Sequence, residues 1–132
     1  MREIKFRGRD GNNWYYGSLF VNECGHTVIS APKSFWMKPV NAETVGQYTG
    51  LKDCEGREIY EGDIVKVVSD GEESFHVVKY MVDEDYPAFD LDPMLNDGEC
   101  NSLSYSLNDL DTKIIVIGNI YDNPEIRRLC NA

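Results

Sequence analysis

The sequence predicts an all-β fold: a small, partly open barrel with extra strands, a long acidic loop region and a short C-terminal helical turn. Three observations carry that expectation. Gly and Asx-Gly pairs punctuate the chain densely. The segments between them are rich in β-branched and aromatic residues. No long stretch repeats apolar side chains with the helical period of about 3.6 residues.

Residues 4–7 read as a first strand. The turn Asp10-Gly11-Asn12-Asn13 leads to a second strand over residues 14–21, with Gly17 as a candidate bulge. Glu23-Cys24-Gly25 turns the chain into a third strand, Thr27-Val28-Ile29. Pro32 and Pro39 bracket Ser34-Phe35-Trp36-Met37, an irregular crossing segment with large apolar side chains.

In the middle, Val45-Gly46-Gln47-Tyr48-Thr49-Gly50 runs into Leu51-Lys52-Asp53-Cys54-Glu55-Gly56 and then Arg57-Glu58-Ile59-Tyr60. Residues 53–56 have the composition of a type I turn with Gly56 left-handed, a common way to close a hairpin. Glu61-Gly62-Asp63 then reverses the chain into Ile64-Val65-Lys66-Val67-Val68. Gly62 tolerates positive φ, and the Asp63 carboxylate suits the backbone amides of such a turn. Asp70-Gly71-Glu72-Glu73 loops back to a strand over residues 75–82.

Residues 83–102 are acidic and rich in turn formers, which predicts an excursion with little regular structure. Leu103, Tyr105 and Leu107 alternate with Ser104 and Ser106, a pattern open to a strand or a short helix. Ile114-Ile115-Val116-Ile117-Gly118-Asn119-Ile120-Tyr121 is apolar on both faces and is placed as a central strand. Asn123-Pro124 supplies a cap and first position for a helical turn over residues 125–130. The 132 residues form a single domain on this reading, with a subdivision into 1–44 and 45–132 and an acidic excursion over 83–111.

Net charge is −10, unevenly distributed. Residues 1–66 carry nine Lys/Arg and nine Asp/Glu, whereas residues 67–132 carry four and fourteen. From Asp70 to Asp111 twelve acidic residues face one basic residue, Lys79. That excess argues against a phosphate-binding surface on the second half, since nucleic-acid affinity comes largely from Lys/Arg displacing counterions. No stretch approaches the ~20 apolar residues of a membrane helix. Met1-Arg2-Glu3-Ile4-Lys5-Phe6-Arg7 has charges where a signal peptide needs an apolar run, so a cytoplasmic protein is expected. Cys24, Cys54, Cys100 and Cys130 are then expected as free thiols, and their spacing matches no metal knuckle.

The run Val45 through Asp53, continuing through Gly56 and Ile59-Tyr60-Glu61-Gly62-Asp63-Ile64-Val65, closely resembles the YopX family of phage and prophage proteins. Arg2-Glu3-Ile4-Lys5-Phe6-Arg7, Trp14-Tyr15-Tyr16-Gly17 and Val116-Ile117-Gly118-Asn119-Ile120-Tyr121-Asp122-Asn123-Pro124-Glu125 extend the match over nearly the whole chain. The resemblance implies a small phage-encoded protein in a bacterial host cell that self-associates. It brings no established activity and no catalytic residues. The Gly-Asp turn before a Val-rich strand is also similar to turns in SH3-like barrels.

Each candidate for chemistry has a simpler structural reading. Cys24 and His26 stand two apart, a spacing that on a strand puts both side chains on one face, but a metal would need further ligands from His76, Cys54, Cys100 or Cys130. No thiol has local features of an activated nucleophile. Asp83-Glu84-Asp85 and Asp90-Leu91-Asp92 lack the Gly and Glu of a calcium loop and read as a solvated acidic loop. Asp63 reads as a turn-capping carboxylate. Trp14, Tyr15, Tyr16, Phe35, Trp36 and Tyr48 read as core and subunit interface, although Arg2, Lys5, Arg7, Arg9, Lys33 and Lys38 share their half of the chain.

The expectation is therefore a non-enzymatic accessory protein that uses its acidic second half against a basic protein partner, without cofactor, metal or membrane. The alternative is a small nucleic-acid-binding barrel using the basic, aromatic first half. Phe35-Trp36-Met37 is the candidate patch for homo-oligomerisation.

Overall fold

The computed structural model of the protein describes residues 3–31, 36–81, 88–93, 103, 107 and 111–131. The chain divides into two compact units, Met1–Gly50 and Leu51–Ala132. All described strand pairs are antiparallel, and the strands form open sheets without a closed barrel. Among the described residues, no helix is long and apolar enough to cross a membrane.

In the first unit, β1 (Phe6–Asp10), β2 (Asn13–Val21), β3 (Thr27–Ser30), β4 (Met37–Pro39) and the first part of β5 (Asn41–Lys52) lie in the order β4-β3-β2-β1-β5. The turn at Gly11, with φ 62°, starts the β1–β2 hairpin and pairs Asp10 with Asn13 and Phe6 with Gly17. β1 therefore runs on to Asp10, three residues past the apolar stretch. Pairing with β2 carries the polar residues, which no apolar pattern would reveal. A Cβ on Gly17 would stand 2.0 Å from the Ser30 carbonyl oxygen, so this position needs glycine for close approach of two backbones. Val28, Ile29 and Tyr48 are buried.

β5 starts at Asn41, well before Val45. Its early part is pinned by side-chain hydrogen bonds, with Arg9 N donating to Thr44 Oγ1 at 2.8 Å and that hydroxyl donating to Asn41 O at 2.6 Å. The register shift between Arg7 and Arg9 falls at the same place.

In the second unit, β6 (Glu58–Tyr60), β7 (Asp63–Ser69), β8 (Glu72–Tyr80), β9 (Phe89–Asp92) and β10 (Thr112–Asn119) precede α1 (Pro124–Arg127) and a 3-10 turn (Arg128–Asn131). Four of these strands form a sheet in the order β10-β7-β8-β9. The β7–β8 turn has two successive residues at positive φ, Asp70 at 52° and Gly71 at 79°, the geometry that matches strand twist in a two-residue hairpin. Alternation along the strands gathers Val65, Val67, Val78, Leu91 and Ile114 on one face, packed with Ile59 and Leu103. Leu51, Leu107 and Val116 pack against this core.

Two sequence-based placements change. The acidic excursion contains a strand, β9, whose Asp90 and Leu91 are fully buried. Leu91 supplies the core contact, and pairing with β8 supplies the backbone bonds. Residues 83–87 and 94–102 of the excursion lie outside the described residues, with Asp83-Glu84-Asp85 and Cys100 among them, and so does Tyr105. Second, the strand formed from the apolar run, Thr112–Asn119, is an edge strand, not a central one, and Ile120 and Tyr121 lie in the turn that follows. The strand's outer edge is covered by the turn at Asp53, which takes the Val116 amide and the Ile114 carbonyl.

Candidate functional site

Charge divides at the unit boundary more sharply than at mid-chain. Residues 1–50 carry six Lys/Arg and four Asp/Glu, a balance of +2, while residues 51–132 carry seven and nineteen, a balance of −12. Among the described carboxylates of the second unit, two groups stand out. Asp53, Asp63 and Asp90 are buried and serve backbone amides. Glu55, Asp70, Glu72, Glu73, Asp92, Asp111, Asp122 and Glu125 are exposed.

The central signature builds the first group. Asp53 Oδ1 accepts from Glu55 N and Arg57 N, each at 2.9 Å, and Oδ2 accepts from Val116 N at 3.0 Å and Arg57 Nε at 3.2 Å. Burial raises its pKa, but the three backbone donors and the Arg57 charge outweigh that and hold the carboxyl below its usual value. Gly56, at φ 84°, closes the turn as expected. Asp63 Oδ2 accepts from Tyr60 N at 2.7 Å, the turn-capping role expected of it. Gly62 stands at φ 93°, with its N–H on Val78 O and its carbonyl taking Ile120 N. Ile59, Tyr60, Ile64 and Val65 are buried, and Glu61 is half-buried beside them. In β5, Gly46 and Tyr48 are buried, Gln47, Thr49 and Leu51 are half-buried, and Gly50 stands at φ 86°.

The terminal signature builds a compact knot. Asn119 Oδ1 accepts from Tyr121 N at 3.0 Å and Asp122 N at 2.9 Å, and Asn123 N donates to Asn119 O at 2.9 Å. Pro124 takes the first helical position as expected, but the Asn123 side chain makes no cap hydrogen bond with its own helix. Its Oδ1 turns back and accepts from Asn119 N at 3.2 Å. The signature side chains Asp53, Asp63, Asn119 and Asn123 thus serve the fold as acceptors for turn and strand amides.

The first unit sets cations over aromatic rings. Arg7 and Arg9 lie 4.8 and 5.9 Å from the Trp14 ring centre, Lys5 lies 5.2 Å from Tyr48, and Lys38 lies 5.4 Å from Tyr15. Tyr15 also meets Trp36 edge-on at 5.8 Å, and Lys38 pairs with Asp10 at 3.3 Å. Arg7 is buried, and the Trp14 face is covered by guanidinium groups. Beside this ladder, Phe20, Asn22, Val28, Met37 and Pro39 line an open, mostly apolar groove of about 160 Å³. Trp36 and Met37 are exposed, while Phe35 lies outside the described residues.

Cys24 and His26 sit in an exposed loop organised by Asn22, whose Oδ1 accepts both their backbone amides at 3.1 and 2.9 Å. Among the described residues, no three His, Cys, Asp or Glu side chains gather as a metal site. Cys54 is exposed, and burial pushes the Cys130 thiol up, away from nucleophilic character. His76, which the sequence offers only as a possible further metal ligand, is a buried polar residue. Its Nδ1 contacts the Pro93 carbonyl, which can only accept, so Nδ1 carries the proton and Ser74 Oγ donates to Nε2 at 2.7 Å. Its position in a β-alternation with Ser74 and Val78 was the available signal.

The family model described as YopX protein matches residues 5–126. A search of the curated proteins finds no match. Among solved structures, the chain is similar to the crystal structure of protein EF1440 from Enterococcus faecalis, at 23% sequence identity and a TM-score of 0.60, covering 96% of this chain and 99% of that one. At that identity the likeness concerns the fold.

Proposed function

The chain belongs to the YopX protein family, and on that footing we propose that it works as a non-enzymatic accessory protein of a phage or prophage, in the bacterial cytoplasm, by contact with a basic protein partner. The observation that carries this reading is the −12 balance of residues 51–132 beside the +2 of residues 1–50. The carboxylates that hold the fold are buried, which leaves those on the surface to attract a cationic partner. Among the described residues, Cys24, Cys54 and His26 are exposed while Cys130 and His76 are buried, an arrangement that supports a role without catalysis.

Affinity capture from bacterial lysate at low and high salt tests the reading, with a variant in which Glu72, Glu73 and Asp111 are neutralised run beside the native chain. A basic protein enriched at low salt, and lost with the variant, supports it. No enrichment, or a partner the variant retains, sinks it.

The cation–aromatic ladder of the first unit favours a second reading, weak binding of single-stranded nucleic acid. Its rings are already covered by cations, which makes it the lesser reading. Gel shifts at low salt with single- and double-stranded DNA and RNA separate the two; no shift at micromolar protein removes it. Exposure of Trp36 and Met37 supports self-association. Light scattering that finds only monomer at every working concentration contradicts that part.

A further inference from the structure

The two outer strands of the second-unit sheet end in the same device. In β10, Ile114 and Val116 turn backbone groups away from β7, toward the turn at Asp53. The Val116 N–H donates to Asp53 Oδ2 at 3.0 Å, and Ile114 O accepts from Cys54 N at 3.0 Å. One carboxylate oxygen and one amide of a turn thus occupy the positions a further strand would take. The Asp53 side chain is fully buried there.

At the opposite edge, Val78 O turns inward to Gly62 N at 2.8 Å, so Leu91, paired with Val78, presents its N–H outward. That N–H donates to Asp90 Oδ1 at 2.8 Å, and the same oxygen accepts from Leu103 N at 2.9 Å. Asp90 is likewise fully buried. Two aspartates from separate parts of the sequence therefore quench outward amides on opposite sides of one sheet. An outward row of unpaired amides is the template on which another chain adds a strand. A carboxylate held there also places negative charge, out of contact with water, where an incoming strand would need a neutral carbonyl.

We propose that Asp53 and Asp90 are edge guards, which close this sheet to strand addition and confine association of the second unit to side-chain contacts. The inference does not depend on the identity of any partner. It concerns a conformational safeguard against edge-to-edge assembly.

The test compares association rates, by light scattering and thioflavin fluorescence, of the full chain and its variants. Asp53→Ala and Asp90→Ala unblock an edge; Val67→Ala, a core truncation, controls for lost stability, with temperature adjusted so that all are equally folded. Edge guarding predicts association about tenfold or more faster in the unblocked variants than in the control. Adding Val116→Pro to Asp53→Ala removes the outward N–H without touching the β7 ladder. This double variant returns to the rate of the control. Equal rates for Asp53→Ala and Val67→Ala overturn the proposal, as does a double variant that associates as fast as Asp53→Ala. Where an alanine variant does not fold, Asp53→Asn and Asp90→Asn carry the same comparison, each retaining one acceptor and giving a smaller excess over the control.

Discussion

Asn123 Oδ1 lies where a side chain on Gly118 would be: a Cβ there would stand 2.4 Å from that oxygen and 2.8 Å from Cγ. The same oxygen accepts the Asn119 amide at 3.2 Å, so the terminal helix is tied to the end of β10 through a contact that only glycine admits. Gly118→Ala must displace Asn123, and with it this bond and the following turn. A loss of about 1–3 kcal/mol is expected by urea denaturation, with an unchanged m value. A variant within experimental error of the native chain contradicts the close packing.

Asp53 joins its own turn to the edge of β10 with four hydrogen bonds, three of them from backbone amides. Asp53→Ala strands those donors, at a cost of about 2–4 kcal/mol in chemical denaturation. Asp53→Asn keeps the shape and one good acceptor and costs less. Because the folded-state pKa is lowered, the carboxylate stabilises the protein above its unfolded pKa, and this contribution disappears as pH falls through the lowered value. Asp53→Asn flattens the acid limb of the stability profile; an unaltered limb would refute the assignment.

His76 acts in a milder pH range. Burial lowers its pKa, more than the Pro93 carbonyl and the Asp92 charge raise it. The folded state therefore holds it neutral while the unfolded chain takes a proton. Its stabilising contribution is complete above about pH 6.5 and is lost as pH falls from there through the lowered folded value, by up to about 1.4 kcal/mol per pH unit. Thermal unfolding scans between about pH 7 and pH 5 should show this decline for the native chain and a shallower one for His76→Gln. Parallel declines would remove His76 as the cause.

Glu72 and Glu73 begin β8 as exposed residues, and Glu73 reaches Lys66 only at 3.8 Å. Neutralising both to Gln leaves stability within about 0.5 kcal/mol, since exposed pairs of this kind contribute little. Partner capture at low salt is the measurement expected to change. A large stability loss would place them with the buried carboxylates.

Features set by adjacent residues were legible in the sequence. Gly56 and Gly62 at left-handed turns, Asp63 on the Tyr60 amide, Pro124 opening the helix and the β-rich pattern all follow from residue chemistry over a few positions. Sequence also carried the family, through a run of signature residues that the structure assigns to turns and core. What it misplaced shares one trait. Val116 and Ile114 read as central because both faces are apolar, yet the strand is an edge whose missing neighbour is replaced by a turn some 63 residues away. Asp90, read as a solvated loop residue, is fully buried because Leu91 beside it belongs to the core and its own carboxylate has two amides to satisfy. Asn123 has the composition of a cap and turns instead to a strand end.

The amino-acid sequence by itself determined where the chain turns, which segments extend, and that negative charge accumulates in its second part. Only the tertiary structure decided which carboxylates serve as surface and which as internal hydrogen-bond acceptors. The reason is that solvation of a charge depends on what packs around it, and a sheet brings those neighbours from distant positions that no local pattern encodes.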